Sequence, residues 1–270
     1  MIEDTTGLAR RIRCHVLQMT HRANASHIGS SFSMADVLAV LYGAILAVDP
    51  ERPDWPDRDR FLLSKGHGAA GIYAALAERG FFPVEWLDTY CEDGSRLAGH
   101  VTHGVPGVEV SSGSLGHGLS IACGMALAGK ADGRGYRVFA LLSDGECDEG
   151  SIWEAILFAP HHRLDNLVAV VDFNKIQSFG TVKEVLGLEP FADKWRAFGW
   201  AVREVDGHNH EALRAAFEAV PFKSGKPSVV LAHTIKGKGV GFMEDKLLWH
   251  YRSVNADQLA LALAELEAAR

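Results

Sequence analysis

Apolar runs and amphipathic segments alternate through the second half of the chain, and this alternation restricts the fold more than any other feature. The pattern predicts strands at 137–144, 167–174, 200–207 and 228–235, with helices at 149–163, 193–199, 210–220 and 256–270. Strands that alternate with helices of this length form a parallel sheet with helices on both faces. We therefore predict an α/β fold built on a doubly wound, mostly parallel sheet.

The first half is less regular and carries an unusual central segment. Helices are predicted at 6–25, at 33–47 with Ser33 as N-cap, at 66–80 and at 119–133, with a short strand at 61–64. Residues 91–118 are rich in glycine and histidine and lack periodicity, which is typical of a functional loop in a compact domain. The notable residues are spread from His27 to His250, so we expect one domain over residues 1–270.

Composition excludes several classes of protein. The formal net charge of -7 and the scattered basic residues argue against a nucleic-acid binder. No apolar run approaches the roughly 18 residues that span a membrane, and the first residues lack a signal-peptide layout. The four cysteines lie far apart, without a C-x-x-C pair, so they suggest neither a zinc site nor a disulfide framework. We expect a cytoplasmic protein that binds neither nucleic acid nor membrane.

Polar residues end two successive predicted strands. Asp144 and Asn174 stand thirty residues apart, one βαβ unit, and ligands bind at the carboxyl ends of the strands of such sheets. Carboxylate and amide oxygens suit Mg²⁺ or Ca²⁺, and Gly145 lets its backbone N–H approach an anion closely. The residues alone leave an ordinary Asp-Gly turn open as the alternative.

Several blocks together resemble the transketolase family. They are SHIGSSFSMADVL, FLLSKGHGAAGIYAAL, GHVTHGVPGVEVSSGSLGHGLSIACGMA, SDGECDEGSIWEA followed by DNLVAVVDFNKIQSFG, and AHTIKGKGVGFME. The resemblance implies the thiamine-diphosphate-binding fold, in its diphosphate-binding domain, with thiamine diphosphate and Mg²⁺ as cofactors and Ca²⁺ or Mn²⁺ as possible substitutes. It implies Asp144, Asn174 and the Ile176 carbonyl as metal ligands, Gly145 against the diphosphate, and Gly113 and Leu115 against the aminopyrimidine ring.

The resemblance places four of the thirteen histidines at the active site. The resemblance places His67 and His250 near the diphosphate and the reacting carbon, as both catalytic and cofactor-binding residues. It places His27 and His100 where they hydrogen-bond sugar hydroxyls and assist proton transfer. A histidine titrates near neutral pH and can donate or accept a proton there. Taken singly, each of the four has a structural role as its alternative.

The resemblance covers only the diphosphate-binding part of a transketolase. The family's activating glutamate belongs to a pyrimidine-binding domain, which we expect on a separate chain together with the C-terminal domain. We therefore expect one subunit of a split transketolase that transfers a two-carbon ketol unit from a ketose or ketose phosphate donor to an aldose. A C-terminal subunit would be its partner, in an α2β2 heterotetramer that binds sugar phosphates.

Departures from the family's pattern leave alternatives open. Ser143 replaces the family's usual glycine and should leave Mg²⁺ binding intact, because Asp144 and Gly145 remain. The SHIGS block, Ser178 and the HYR sequence after Trp249 put the identity of both sugars in doubt. The chain could serve a specialised enzyme acting on an unusual or nucleotide-linked sugar, or be a noncatalytic assembly partner that retains the fold. A subunit of a 2-oxo-acid dehydrogenase fits the histidines less well.

Three acidic residues near Asp144 have no predicted ligand role. For Glu146, Asp148 and Glu149 two explanations stay open. Their charges favour a helix N-terminus, or their side chains face the partner chain.

Overall fold

The computed structural model describes residues 4–268, which form a five-stranded sheet flanked by helices. The strands are β1 (Arg60–Leu63), β2 (Val138–Ser143), β3 (Leu167–Phe173), β4 (Ala201–Asp206) and β5 (Ser228–His233). The helices are α1 (Thr5–Arg22), α2 (Ile28–Ser33), α3 (Ala35–Val40), α4 (Ala69–Arg79), α5 (Gly118–Ala131), α6 (Gly150–His161), α7 (Val182–Val185), α8 (Phe191–Ala197), α9 (His210–Glu218) and α10 (Ala256–Ala268). The last two residues of the predicted terminal helix lie outside the described residues.

The sheet has the order β1-β2-β3-β5-β4, and each neighbouring pair is parallel. Strands β2 and β3 are buried along their whole length, as their continuous apolar sequences predict for the centre of a parallel sheet. Strand β4 lies at an edge and is partly exposed. Because β2 and β3 pair directly, with Ser143 opposite Asp172, the polar residues that follow them lie at one edge of the sheet.

Helices cover both faces of the sheet. Along β2, Phe139 and Leu141 pack into a cluster with α1 to α4, α9 and α10, while Val138, Ala140 and Leu142 pack into a second cluster with α5, α6 and α8. This alternation follows from the two-residue period of a strand. The prediction of a doubly wound α/β fold is confirmed. Within residues 4–268, no helix has the length and apolarity needed to cross a membrane.

The predicted helix at 33–47 is wrong in its start and its continuity. The segment instead forms α2 from Ile28, a break at Met34, then α3 and a π-helical turn over Leu41–Ile45. Ser33 is the last residue of α2 rather than an N-cap. Its hydroxyl donates to the Ser30 carbonyl and to the Asp172 carboxylate in β3, and the helix breaks at the next residue.

Candidate active site

A cavity of about 240 Å³ opens at the carboxyl ends of β2, β3 and β5. Every site residue predicted from the sequence lines it: His27, His67, His100, Gly113, Leu115, Asp144, Gly145, Asn174, Ile176 and His250. Five further residues complete the lining: Ser30, Ser143, Gln177, Ser178 and Lys236. Residues that are distant in sequence therefore meet at the edge where parallel sheets bind ligands.

Three residues with oxygen atoms of the kind that bind metal ions line the cavity: Asp144, Asn174 and Ile176. The Asp144 carboxylate is 1% exposed and accepts the backbone N–H groups of Gly145, at 2.8 Å, and Lys175. The side-chain amide of Asn174 donates to Asp172 at 3.2 Å, which leaves its oxygen 3.1 Å from the Ile176 N–H. Ile176 lines the same cavity, and its carbonyl accepts from the Lys236 ammonium at 2.9 Å.

These groups fit a hard divalent cation bound with a diphosphate. A carboxylate, an amide oxygen and a carbonyl are the ligand types of Mg²⁺. Burial, followed by the charge of Asp172, raises the pKa of Asp144 to about 7, so a cation here would favour the ionised carboxylate. At Gly145 a side chain would have no room, since a Cβ would lie 2.9 Å from the Gln177 side chain.

Lys236 is a site residue that the sequence analysis missed. Its side chain is almost wholly buried, and its ammonium donates to the Ile176 carbonyl at 2.9 Å and to Nδ1 of His250 at 2.9 Å. Burial lowers its pKa to about 8, which the Asp144 charge opposes, so the side chain remains cationic at neutral pH. Lys236 lies in the AHTIKGKG block, to which the sequence assigned no role.

A buried ion pair forms the floor behind the three oxygen donors. Lys65 and Asp172 both have 0% side-chain exposure and contact each other directly. The Lys65 ammonium also donates to the Ser30 carbonyl at 3.0 Å, and the hydroxyl of Thr234 donates to Asp172. Each charge therefore has several hydrogen-bond partners, which offset the cost of burying it.

The four predicted histidines form one cluster in the cavity. The ring of His27 lies 5.0 Å from that of His67, 5.0 Å from that of His250 and 6.1 Å from that of His100, measured between centroids. The backbone N–H of His27 donates to the His250 carbonyl at 2.9 Å, with His27 in the left-handed conformation at a φ of 71°. The prediction that these side chains share one site is thus matched by their positions.

Three of these rings are neutral at physiological pH. Burial, followed by the nearby His100, lowers the pKa of His27 to about 4. Burial, followed by the Lys236 charge, lowers the pKa of His250 to about 3. Burial and Lys65 hold the pKa of His67 well below its ordinary value. A neutral ring can offer one donor and one acceptor to a sugar hydroxyl.

Glu146 joins the loop at 111–118 to the turn that carries Asp144. Its carboxylate is fully buried and accepts the Ser64 hydroxyl, the Gly116 N–H at 2.9 Å and the Ser143 N–H at 3.3 Å. This contact holds the loop that contains Gly113 beside the cavity. The explanation that Glu146 faces a partner chain is wrong, since its side chain points into the interior.

The other two acidic residues differ from Glu146. Asp148 accepts from the side-chain amide of Gln177 at 2.8 Å, so it supports a wall of the cavity. Glu149 is exposed at the start of α6 and its side chain makes no capping hydrogen bond. The sequence could not distinguish these three neighbours, because their partners lie far along the chain.

A larger cavity of about 780 Å³ shares Asn174 and Ile176 with the first. Its lining is mostly apolar and includes Leu188 and Val182. None of the four clustered histidines lines it, nor does Asp144. The residues predicted as the site therefore meet in the smaller cavity.

The family model for the transketolase thiamine diphosphate binding domain matches residues 5–267. The chain belongs to the transketolase family. This transketolase chain is 45% identical over 265 residues to 6-deoxy-6-sulfo-D-fructose transketolase subunit SqwG of Clostridium sp. (strain MSTE9), covering 98% of the chain and 96% of the relative. It is 43% identical over 254 residues to an apulose-4-phosphate transketolase subunit of Phocaeicola vulgatus, covering 94% and 90%.

Solved structures of transketolases share the fold. Transketolase from Leishmania mexicana superposes with a TM-score of 0.92 at 30% identity, covering 99% of this chain and 42% of that one. Transketolase from Campylobacter jejuni gives the same TM-score and identity, covering 99% and 43%. The transketolase chain thus spans about two fifths of these enzymes but nearly the whole of the two subunit relatives. The predicted family, its thiamine diphosphate cofactor and a transferase of the split transketolase type are confirmed.

Proposed function

We propose that this chain is the diphosphate-binding subunit of a two-chain transketolase and that the 240 Å³ cavity holds thiamine diphosphate and Mg²⁺. The reaction is transfer of a two-carbon ketol unit from a ketose or ketose phosphate to an aldose acceptor. The observation that carries the proposal is the meeting of three oxygen donors and four histidines in one cavity. A noncatalytic assembly partner has no use for this arrangement.

Each side of the cavity has its own task in the proposal. Asp144, Asn174 and the Ile176 carbonyl hold Mg²⁺, with Ca²⁺ or Mn²⁺ as substitutes, and the missing side chain of Gly145 leaves space for the diphosphate. Gly113 and Leu115 form the wall for the aminopyrimidine ring. When bound, the cofactor supplies a carbon nucleophile and a sink for the electrons released by C–C cleavage.

The histidines handle the sugar in the proposal. His67 and His250 lie beside the reacting carbon and the diphosphate. His27 and His100 hydrogen-bond sugar hydroxyls and pass protons. Since His100 is exposed while the other three rings are partly buried, His100 lies at the mouth through which a sugar enters. Because Nδ1 of His250 accepts from Lys236, its Nε2–H is left to donate to a sugar oxygen, and the neutral ring of His27 can accept a hydrogen bond from a sugar hydroxyl.

A partner chain supplies the remaining parts. We propose a C-terminal subunit that brings the pyrimidine-binding domain and its activating glutamate, in an α2β2 heterotetramer. The naming of two similar proteins as transketolase subunits supports a partner. The four cysteines are free, which supports a reducing, cytoplasmic setting.

The substrate class follows from the same two relatives. One is named for a sulfonated fructose and the other for apulose 4-phosphate. We propose that this enzyme likewise acts on a ketose that carries a terminal anionic group. Both names describe unusual sugars, which favours a specialised pathway.

Calorimetry with thiamine diphosphate and Mg²⁺ tests the proposal. The wild-type chain, alone or with its partner, should bind the cofactor only when a divalent cation is present. Asp144→Ala should weaken binding by at least about 100-fold, because a metal ligand is lost. Glu149→Ala, an exposed change on the same turn, is the control and should bind normally. Equal affinity with and without metal would refute the proposal.

A further inference from the structure

A buried carboxylate outside the cavity gathers three basic side chains. Asp36 in α3 accepts from Arg13 at 3.0 and 2.6 Å, from Nδ1 of His208 at 2.6 Å and from Nε2 of His210 at 3.0 Å. Burial opposes its ionisation, yet Arg13 and the two histidines hold the pKa of Asp36 well below its ordinary value of 3.8. The side chain is therefore a carboxylate, and both histidine nitrogens that face it donate.

The two histidines differ in what their second nitrogen contacts. Nε2 of His208 accepts the backbone N–H of Ile235 at 2.8 Å. Nδ1 of His210 lies 2.8 Å from the hydroxyl of Thr5, at the start of α1. An imidazole that accepts an N–H at Nε2 and donates at Nδ1 is neutral with its tautomer fixed. His208 is therefore hydrogen-bonded to the residue before Lys236, which lines the cavity, whereas His210 is hydrogen-bonded to α1.

Ile235 directly precedes Lys236, and its amide lies beyond the end of β5 at His233. With no strand partner, the Ile235 N–H needs another acceptor, and His208 provides it. The residues on either side are fixed separately, because the Thr234 N–H donates to Phe173 and the Gly237 N–H donates to Gly29. The hydrogen bond to His208 thus fixes the backbone between Thr234 and Gly237, the segment that carries Lys236.

We propose that His208 is a positioning residue for the cofactor cavity. Its neutral ring, oriented by Asp36, fixes the Ile235 amide and so keeps the Lys236 ammonium between the Ile176 carbonyl and His250. The proposal rests on the proposed function, since Lys236 acts on the bound cofactor only if the cavity holds one. His208 itself does not line that cavity.

Two substitutions of His208 separate its two hydrogen bonds. In His208→Gln the side-chain oxygen reaches the place of Nε2 and still accepts from Ile235, while the bond to Asp36 is lost. In His208→Asn the amide NH₂ takes the place of Nδ1 and still donates to Asp36, while the Ile235 amide loses its acceptor. His210→Asn removes a donor to Asp36 without touching the route to Lys236 and is the matched control.

The first measurement needs no cofactor. Hydrogen exchange of the peptide spanning 234–237 should quicken at least about tenfold in His208→Asn, because the Ile235 amide is released. It should stay near wild type in His208→Gln and His210→Asn. Equal exchange in His208→Asn and His210→Asn would overturn the proposal.

The second measurement is calorimetric binding of thiamine diphosphate with Mg²⁺ by the intact protein. We expect affinity about tenfold weaker for His208→Asn, near wild type for His210→Asn, and within about threefold of wild type for the rescue variant His208→Gln. Uniform affinity across the variants would overturn the proposal while leaving the proposed function standing. A wild-type chain that binds no cofactor would refute the proposed function, and the exchange measurement would still decide whether His208 positions Lys236.

Discussion

Removing the Glu146 side chain should destabilise the fold and weaken cofactor binding together. Glu146→Ala leaves the buried N–H groups of Gly116 and Ser143 without their acceptor. Each unsatisfied buried amide costs about 1–3 kcal/mol, so the two cost about 2–6 kcal/mol. Burial raises the pKa of Glu146, which means that the charged carboxylate is itself unfavourable in this place. Removing it therefore offsets part of the cost of the two unsatisfied amides. We expect a net loss of about 3 kcal/mol.

Urea denaturation followed by tryptophan fluorescence measures this loss. With a slope of about 3 kcal/mol per molar urea, the midpoint should fall by about 1 M. The matched control is Glu154→Ala, an exposed change in α6, which should alter stability by less than about 0.5 kcal/mol. Calorimetry should also show weaker thiamine diphosphate binding by Glu146→Ala, because the loop at 111–118 loses its attachment to the metal turn.

Two results for Glu146→Ala would contradict this prediction. A Glu146→Ala variant that unfolds at the midpoint of Glu154→Ala would show that water replaces the carboxylate without cost. A variant that loses stability but binds cofactor normally would show that the loop keeps its position without Glu146.

Three further predictions concern the charged floor, acid stability and the glycines. Asp172→Asn should lower the free energy of unfolding by about 3–5 kcal/mol in a urea titration, because Lys65 is left charged at 0% exposure; a loss below about 1 kcal/mol would contradict this. Despite its burial, Asp36 has a pKa held well below 3.8, so its contribution to stability is present above about pH 4 and is lost as pH falls through that lower pKa. In Asp36→Asn the melting temperature should therefore fall less steeply with decreasing pH in this acid range. An unchanged dependence of the melting temperature on pH would contradict this. Gly66→Ala places a methyl carbon 2.3 Å from a backbone carbonyl oxygen and should lower the free energy of unfolding by about 3 kcal/mol. Gly124→Ala meets open space within α5 and should raise the free energy of unfolding by about 0.5–1 kcal/mol. The melting temperatures of the two variants should therefore shift in opposite directions.

Local sequence patterns were sufficient to predict the sheet and to place Asp144 and Asn174 together at one edge of it. The apolar runs that became β2 and β3 are long, and each is followed by a polar residue, Asp144 or Asn174. In a parallel sheet such residues meet at one edge whatever the intervening helix contains. The histidine positions came instead from resemblance to a family, since no spacing rule brings His27 beside His250.

Long-range hydrogen bonds decided what local patterns could not. The break at Met34 accompanies a contact between Ser33 and a strand 139 residues away. Lys236 and Glu146 have ordinary local contexts, and their importance depends on partners brought together by the sheet. Helix propensity and hydrophobic period carry no information about such partners.

The meeting of His27 with His250 has a consequence for the order in which the molecule is assembled. The His27 amide is bonded to the His250 carbonyl, and nearby His21 contacts the Val254 carbonyl across 233 residues of sequence. Synthesis proceeds from the N-terminus, so His27 emerges from the ribosome long before its neighbour. A growing chain can build the central strands, but its cofactor cavity is closed only when the segment around His250 folds back. A translation product that ends before His250 would therefore lack one of the four clustered histidines and the carbonyl that accepts from the His27 amide.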